Sequence, residues 1–201
     1  MAFVVIVALI VLVLLAGVVS YNRFVSQRNL VRSSWANIDT ELKRRYDLIP
    51  NLLETVKGYA AHERQTLEAV TAARAGAAAA TGSPAAQAAA EGPLVNALRQ
   101  LLAVSERYPD LKANQSFLEL QGELENTEDR LQAARRFYNA NVQDYNRRVQ
   151  AFPSGLIARQ FGFRDEELFE IEPAMRAKVS EAPRVDFGAG DPPPTTPPPA
   201  T

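Results

Sequence analysis

Three carboxylates, Glu125, Glu128 and Asp129, stand three and four residues apart, a spacing that puts them on one side of a helix. Carboxylates so placed can work as general acid and base or hold a divalent cation through oxygen ligands. Arg130, Arg135 and Arg136 follow closely and favour a plainer reading, a salt-bridged surface. A second cluster, Arg44, Arg45, Asp47 and Asn51, surrounds Pro50. The proline cannot donate to the Tyr46 carbonyl, so it should kink the helix and leave that carbonyl in need of a polar partner. Two readings of the cluster stay open. It is a recognition patch for another protein, or it is satisfied internally, with Arg45 paired to a carboxylate such as Glu125, Glu128 or Asp129. A buried arginine is tolerated only when paired.

Other chemistry is excluded by composition. The chain has no cysteine and one histidine, which removes thiol nucleophiles, thiolate metal sites, disulfides, cysteine-linked lipids and two-histidine metal sites. His62 precedes Glu63, but a zinc-protease helix needs a second histidine four residues on, where Thr66 stands. With 22 basic and 23 acidic residues the net charge is −1, so bulk attraction to nucleic acid is not expected. No nucleophile and base converge. The expectation is a protein that acts by binding, without cofactor or metal, rather than an enzyme.

The elements that position these residues fall into three pieces. Residues 1–20 form an apolar segment with no charged side chain, about 30 Å long as a helix, matching a bilayer core. No basic residue precedes it and it is long for a cleaved signal peptide, so a retained transmembrane anchor is expected. Residues 21–185 are polar and rich in helix formers. Residues 186–201 hold six of the 13 prolines and read as a disordered tail, locally extended, with the lesser possibility of a proline-rich ligand segment.

A seven-residue repeat organises the middle piece. Trp35, Leu42, Ile49, Val56 and Val70 fall in one column, with Glu63 the exception. Val31, Ile38, Leu52 and Tyr59 fall in a second, with Arg45 the exception. One helix is therefore expected from the anchor to residue 75, then a loop, a helix from Ser83-Pro84 to 107, and a third opened by a Ser116–Glu119 capping box. The third carries the longest column: Phe117, Leu124, Leu131, Tyr138, Tyr145 and Phe152. A short helix over 155–161 ends near Gly162, and a last helical turn is expected within 173–181. No segment alternates as a half-buried strand does. The fold class is all-α: a transmembrane helix running into an up-and-down antiparallel bundle of three long helices and a short one.

Helix lengths leave the membrane-proximal stalk, residues 21–40, without an obvious partner, although it carries Phe24, Val31, Trp35 and Ile38. Either the chain after Pro153 returns to cover it, or another copy or another protein does.

Several stretches resemble the LemA family: Tyr21-Asn22, the run from Arg44 to Tyr59 with His62-Glu63, Leu124 to Leu131, Ala134 to Asn139, Tyr145-Asn146 and Phe152-Pro153. The resemblance extends over 1–187. It implies a bacterial membrane protein with an N-terminal anchor and a helical bundle, and no established enzymatic activity. The expected role is a self-associating scaffold at the membrane; the alternative is an adaptor presenting its bundle to a membrane enzyme such as a protease. The candidate contact residues are Phe24, Val31, Trp35, Ile38, Arg44, Arg45, Asp47 and Asn51. The expected partners are the lipid bilayer, further copies of the chain and a membrane protein. Arg23, Arg28 and Arg32 flank the anchor on its C-terminal side, which places the bundle in the cytoplasm by the positive-inside rule.

Overall fold

The computed structural model describes residues 1–170. Within them the chain forms six helices and no strand: α1 (Ala2–Tyr59), α2 (Arg64–Ala79), α3 (Pro84–Ser105), α4 (Pro109–Lys112), α5 (Gln115–Gln150) and α6 (Ser154–Phe161). The turn expected within 173–181 and the proline-rich tail lie outside these residues.

The spine is α1. Its 58 residues make a helix of about 87 Å. The apolar N-terminal third stands clear of the other described residues and is long and apolar enough to cross a bilayer. The helix runs through Pro50 without interruption. It does not run on to residue 75 as expected. The chain turns at Ala60–Glu63, where the apolar column meets Glu63, and Gly58 just before the turn is a poor helix former. Glu63 instead accepts hydrogen bonds from Arg107 at 2.9 Å and from the Tyr108 hydroxyl at 3.2 Å.

After the turn α2 folds back along α1, and α3 packs closely on α2. The stretch between residues 72 and 90 is mostly alanine, and Ala77 and Ala88 are buried, so short side chains let the helices approach. Ser83 caps α3, accepting from the Ala86 amide at 3.3 Å, with Pro84 at the first helical position. The cap of α5 is Asn114, which accepts from the Phe117 amide at 3.0 Å, and not the expected Ser116.

Antiparallel to α1, α5 begins beside Tyr59 and ends beside Phe24. The Asn114 amide donates to the Tyr59 hydroxyl at 2.9 Å, and the Tyr145 ring meets Phe24 edge-on with centroids 6.2 Å apart. Phe117, Leu131, Tyr138 and Tyr145 of the long column are buried and Leu124 is half-buried. Phe152 lies past the end of the helix and is 85% exposed, so the column stops one repeat early.

The stalk is covered within the chain. Tight apposition of α6 to the end of α5 requires Gly155, whose Cβ position would stand 2.9 Å from the Val149 carbonyl oxygen. Gly162 at φ +71° then ends α6 in the left-handed conformation. Residues 163–170 return along the stalk as an irregular strap. Phe163 stacks on Phe24 at 4.8 Å, and Phe169 meets Trp35 edge-on at 5.3 Å. Two asparagines seven residues apart on α5 hold the strap's backbone. Asn139 donates to the Phe169 carbonyl at 3.1 Å and accepts from its amide at 2.9 Å. Asn146 does the same for Glu166 at 2.9 and 2.8 Å. The Tyr138 hydroxyl donates to the Glu167 carbonyl at 2.8 Å. Side-chain amides thus supply the pairing that a strand would get from a neighbour, which backbone groups packed against a helix without regular structure need.

Two predictions follow from this packing. Leu131→Ala should lower stability by about 2–5 kcal/mol, and Leu118→Ala, at an exposed site on the same helix, by a small fraction of that. Urea midpoints of the detergent-solubilised chain test the difference. Burial first, and then the charges of Glu166 and Glu167, push the Tyr138 phenol up to about 12. The fold therefore favours the neutral phenol. That contribution is complete below the phenol's ordinary value of about 10 and is lost as pH rises towards about 12. Tyr138→Phe should make the alkaline fall in melting temperature shallower.

Candidate functional site: a polar node between two apolar cores

The buried residues form two apolar clusters. The membrane-proximal one contains Phe24, Val31, Ile38, Leu42, Leu131, Tyr138 and Tyr145 with the strap's Phe163 and Phe169. The distal one contains Ile49, Leu52, Val56, Val70, Leu94, Leu101 and Phe117. Between them sits Arg45, 3% exposed, in the same α1 column as Phe24, Val31, Ile38 and Leu52.

Arg45 pairs with two carboxylates from different helices. Its Nη1 donates to Oε2 of Glu91 on α3 at 3.0 Å, and its Nη2 to Oε2 of Glu128 on α5. Glu91 is fully buried and also accepts from the Tyr46 hydroxyl and from the Gln87 amide, the latter at 3.3 Å. Gln87 donates to the Tyr46 hydroxyl and to the Ala77 carbonyl of α2, each at 3.1 Å. Glu128, partly exposed, is steadied by Gln132 at 2.7 Å. The Tyr46 carbonyl, freed by Pro50, accepts from Arg74 Nε of α2 at 2.7 Å. Four helices are therefore joined through two adjacent residues of α1.

Burial lowers the affinity of Arg45 for its proton, and Glu91 acts against that shift. The guanidinium still stays charged, because its ordinary value lies far above neutral pH. Burial and the bond to Glu91 raise the Tyr46 phenol well above its ordinary value, so it remains a neutral donor. Every group at the node has a hydrogen-bond partner within the chain, and Arg45 and Glu128 also line a pocket with Leu98, Leu124 and Glu125. The arrangement positions helices; it does not set a nucleophile beside a base.

The sequence-derived candidates separate in the structure. Phe24, Val31 and Ile38 are buried inside the chain, and Trp35 is half-buried between Tyr138 and Phe169 at 5.4 and 5.3 Å. Of the two ways left open for covering the stalk, the structure shows the first: α5, α6 and the strap after Pro153 pack on it. Charges placed at Trp35 and Ile38 would disrupt the fold rather than release a partner. Arg45 joins the node, with Glu128 as one of its expected partners; Glu125 and Asp129 face outward. Arg44, Asp47 and Asn51 are exposed on α1, Arg44 beside Glu123 at 3.3 Å. His62 is exposed, and no group of three metal-ligating side chains occurs among the described residues. Sequence reasoning missed Glu91, Gln87 and Arg74. The one signal for Glu91 is an acidic residue within an alanine-rich helix three residues before the apolar Leu94.

A helical bundle organised on one long helix that carries an exposed apolar span defines the structural class. The chain belongs to the LemA family, which it matches over residues 34–187. It is 27% identical over 179 residues to magnetosome protein MamQ 2 of Paramagnetospirillum magneticum, a match covering 77% of this chain and 66% of that one. Magnetosome protein MamQ of Magnetospirillum gryphiswaldense is 26% identical over the same length and shares. The match thus spans just under two thirds of the length of these relatives. Protein LemA of Metamycoplasma hominis is 23% identical over 158 residues, 79% of this chain and 72% of that one. The motif run from Arg44 to Tyr59 lies inside the family match and supplies the node's two α1 residues, Arg45 and Tyr46; Tyr21-Asn22 lies outside it.

Arg45→Ala should cost about 3–5 kcal/mol, because it leaves Glu91 buried and unpaired. Arg45→Met combined with Glu91→Leu should recover most of that loss. Equal damage from the single and double variants in urea unfolding would show that Arg45 does not carry the node.

Proposed function

We propose that the protein is a non-enzymatic, single-pass membrane scaffold that associates with further copies of itself, its bundle on the cytoplasmic side. The observation that carries the reading is the continuity of α1: one helix is both the apolar span and the spine of both cores. Such a chain holds a rigid bundle at a fixed place on a membrane. The relatives support a structural role, since they are named for the magnetosome and for the family rather than for a reaction. The orientation rests on Arg23, Arg28 and Arg32 beside the span.

With the stalk covered in cis, the contact surface is the outward face of α1. Arg44, Asp47, Asn51 and Glu54 follow at helical spacing, all exposed, with Pro50 among them. An adaptor role uses the same face towards a different membrane protein. The mass of the full-length protein in mild detergent separates the two. The scaffold reading expects a homo-oligomer, and Asp47→Arg with Asn51→Arg should reduce its mass while leaving helicity unchanged. One dominant foreign protein bound to a single copy supports the adaptor. A lone monomer from native membranes sinks both.

A further inference from the structure

The membrane-facing end of the bundle holds a pocket with an unbalanced charge. Arg23 and Gln27 of α1 face Arg147 and Arg148 of α5, and Ser154 closes the pocket at the start of α6. Asp144 is the acidic residue among the lining groups and lies 3.4 Å from Arg147, so three guanidinium groups share one carboxylate. Arg148 Nε is buried without a hydrogen-bond partner among the described residues, as is Gln27 Oε1. Desolvation, and then the nearby Arg23 charge, lower the affinity of Arg148 for its proton, with Asp144 opposing. Like charges held together at a cost to the fold call for a counter-anion.

The pocket's position says which anion. Arg23 lies three residues past the apolar segment, about 5 Å along the helix, at headgroup depth. Large apolar side chains are exposed around the same end: Phe152 at 85%, Leu156 at 58% and Phe161 at 56%. The Phe161 ring packs on Tyr21, at the exit of the span, with centroids 4.9 Å apart. Aromatic residues around a basic pocket beside a transmembrane helix match the chemistry of the bilayer interface.

The geometry points to a binding site for the phosphate of an anionic phospholipid, held by Arg23, Arg147 and Arg148, with Phe152, Leu156 and Phe161 seated in the interface beside it. Guanidinium groups suit a phosphate because their N–H groups match its oxygens in pairs. The inference rests on the membrane-anchor part of the proposed function and goes beyond it: the bundle itself grips the leaflet from which its spine emerges.

The test uses the full-length chain, freed of lipid in detergent, and reads thermal midpoints on titration with short-chain phosphatidylglycerol, phosphatidylcholine or inorganic phosphate. Flotation with neutral phosphatidylcholine vesicles checks the anchor separately, so its failure is distinguishable from failure of the site. Phosphatidylglycerol should raise the midpoint at lower concentration than phosphatidylcholine. Arg23→Gln with Arg148→Gln should weaken that effect about tenfold or more, while Arg130→Gln, at an exposed site on α5, keeps it. In phosphatidylcholine alone the double variant should melt no lower than wild type, since a repulsion has been removed. If it does melt lower, Arg147→Gln, at a side chain 75% exposed, decides by the same criterion. The assignment is overturned if the two lipids act alike, if inorganic phosphate reproduces the shift at equal concentration, or if the arginine variants keep the preference.

Discussion

A guanidinium taken out of water is the constraint around which this bundle is arranged. Arg45 occupies a core position in the spine, and desolvating its charge would cost several kcal/mol without compensation. Compensation comes from outside α1: Glu91 from α3 and Glu128 from α5, with Gln87 and Tyr46 completing the hydrogen bonds of Glu91. An apolar contact would tolerate a helix sliding by a residue or rotating slightly. A carboxylate that must meet this guanidinium fixes both the height and the rotation of its helix. Pro50 adds a second demand one turn away, met by Arg74 of α2. The node thus selects one register among the many that alanine-rich and leucine-rich faces would accept.

The two cores on either side are built differently. The distal one is helix against helix, and its hairpin of α2 and α3 relies on alanine for close approach. The proximal one is completed by a segment with no regular structure, held through Asn139 and Asn146. The repeated Tyr-Asn pairs of α5 divide the labour: Tyr138 and Tyr145 fill the core, and each following asparagine reads the strap's backbone. An amide that both donates and accepts suits a peptide unit at any side chain, so the strap's own sequence is constrained mainly at Phe163 and Phe169.

What was legible in the sequence follows from this difference. The heptad columns of α1 and α5 announced the all-α class and the buried faces, because periodic burial leaves a periodic pattern, and offered the pairing of Arg45 with a carboxylate as one of two readings. The turn at residues 60–63 was hidden, since Val70 resumes the column of α1 by coincidence of spacing after α2 has reversed direction. Glu91 was hidden because alanine gives a helix no stripe against which a buried acid stands out. The strap was foreseen only as one of two ways to cover the stalk. A segment fixed by side-chain amides carries no periodicity, and its partner asparagines sit in a motif whose family likeness said nothing of their role.

One property of α1 reaches beyond the bundle. No glycine or proline occurs between Gly17 and Pro50, and the helix is continuous over that stretch. In the proposed anchoring the span meets the bundle without a hinge, as a lever whose short arm would lie in lipid and whose long arm is clamped at Arg45. A bilayer thinner or thicker than the apolar length would change the tilt of the short arm, and stiffness would carry that angle into the bundle. Copies sharing a leaflet would lean together. Lipid thickness and curvature would thereby act as inputs to how neighbouring bundles meet.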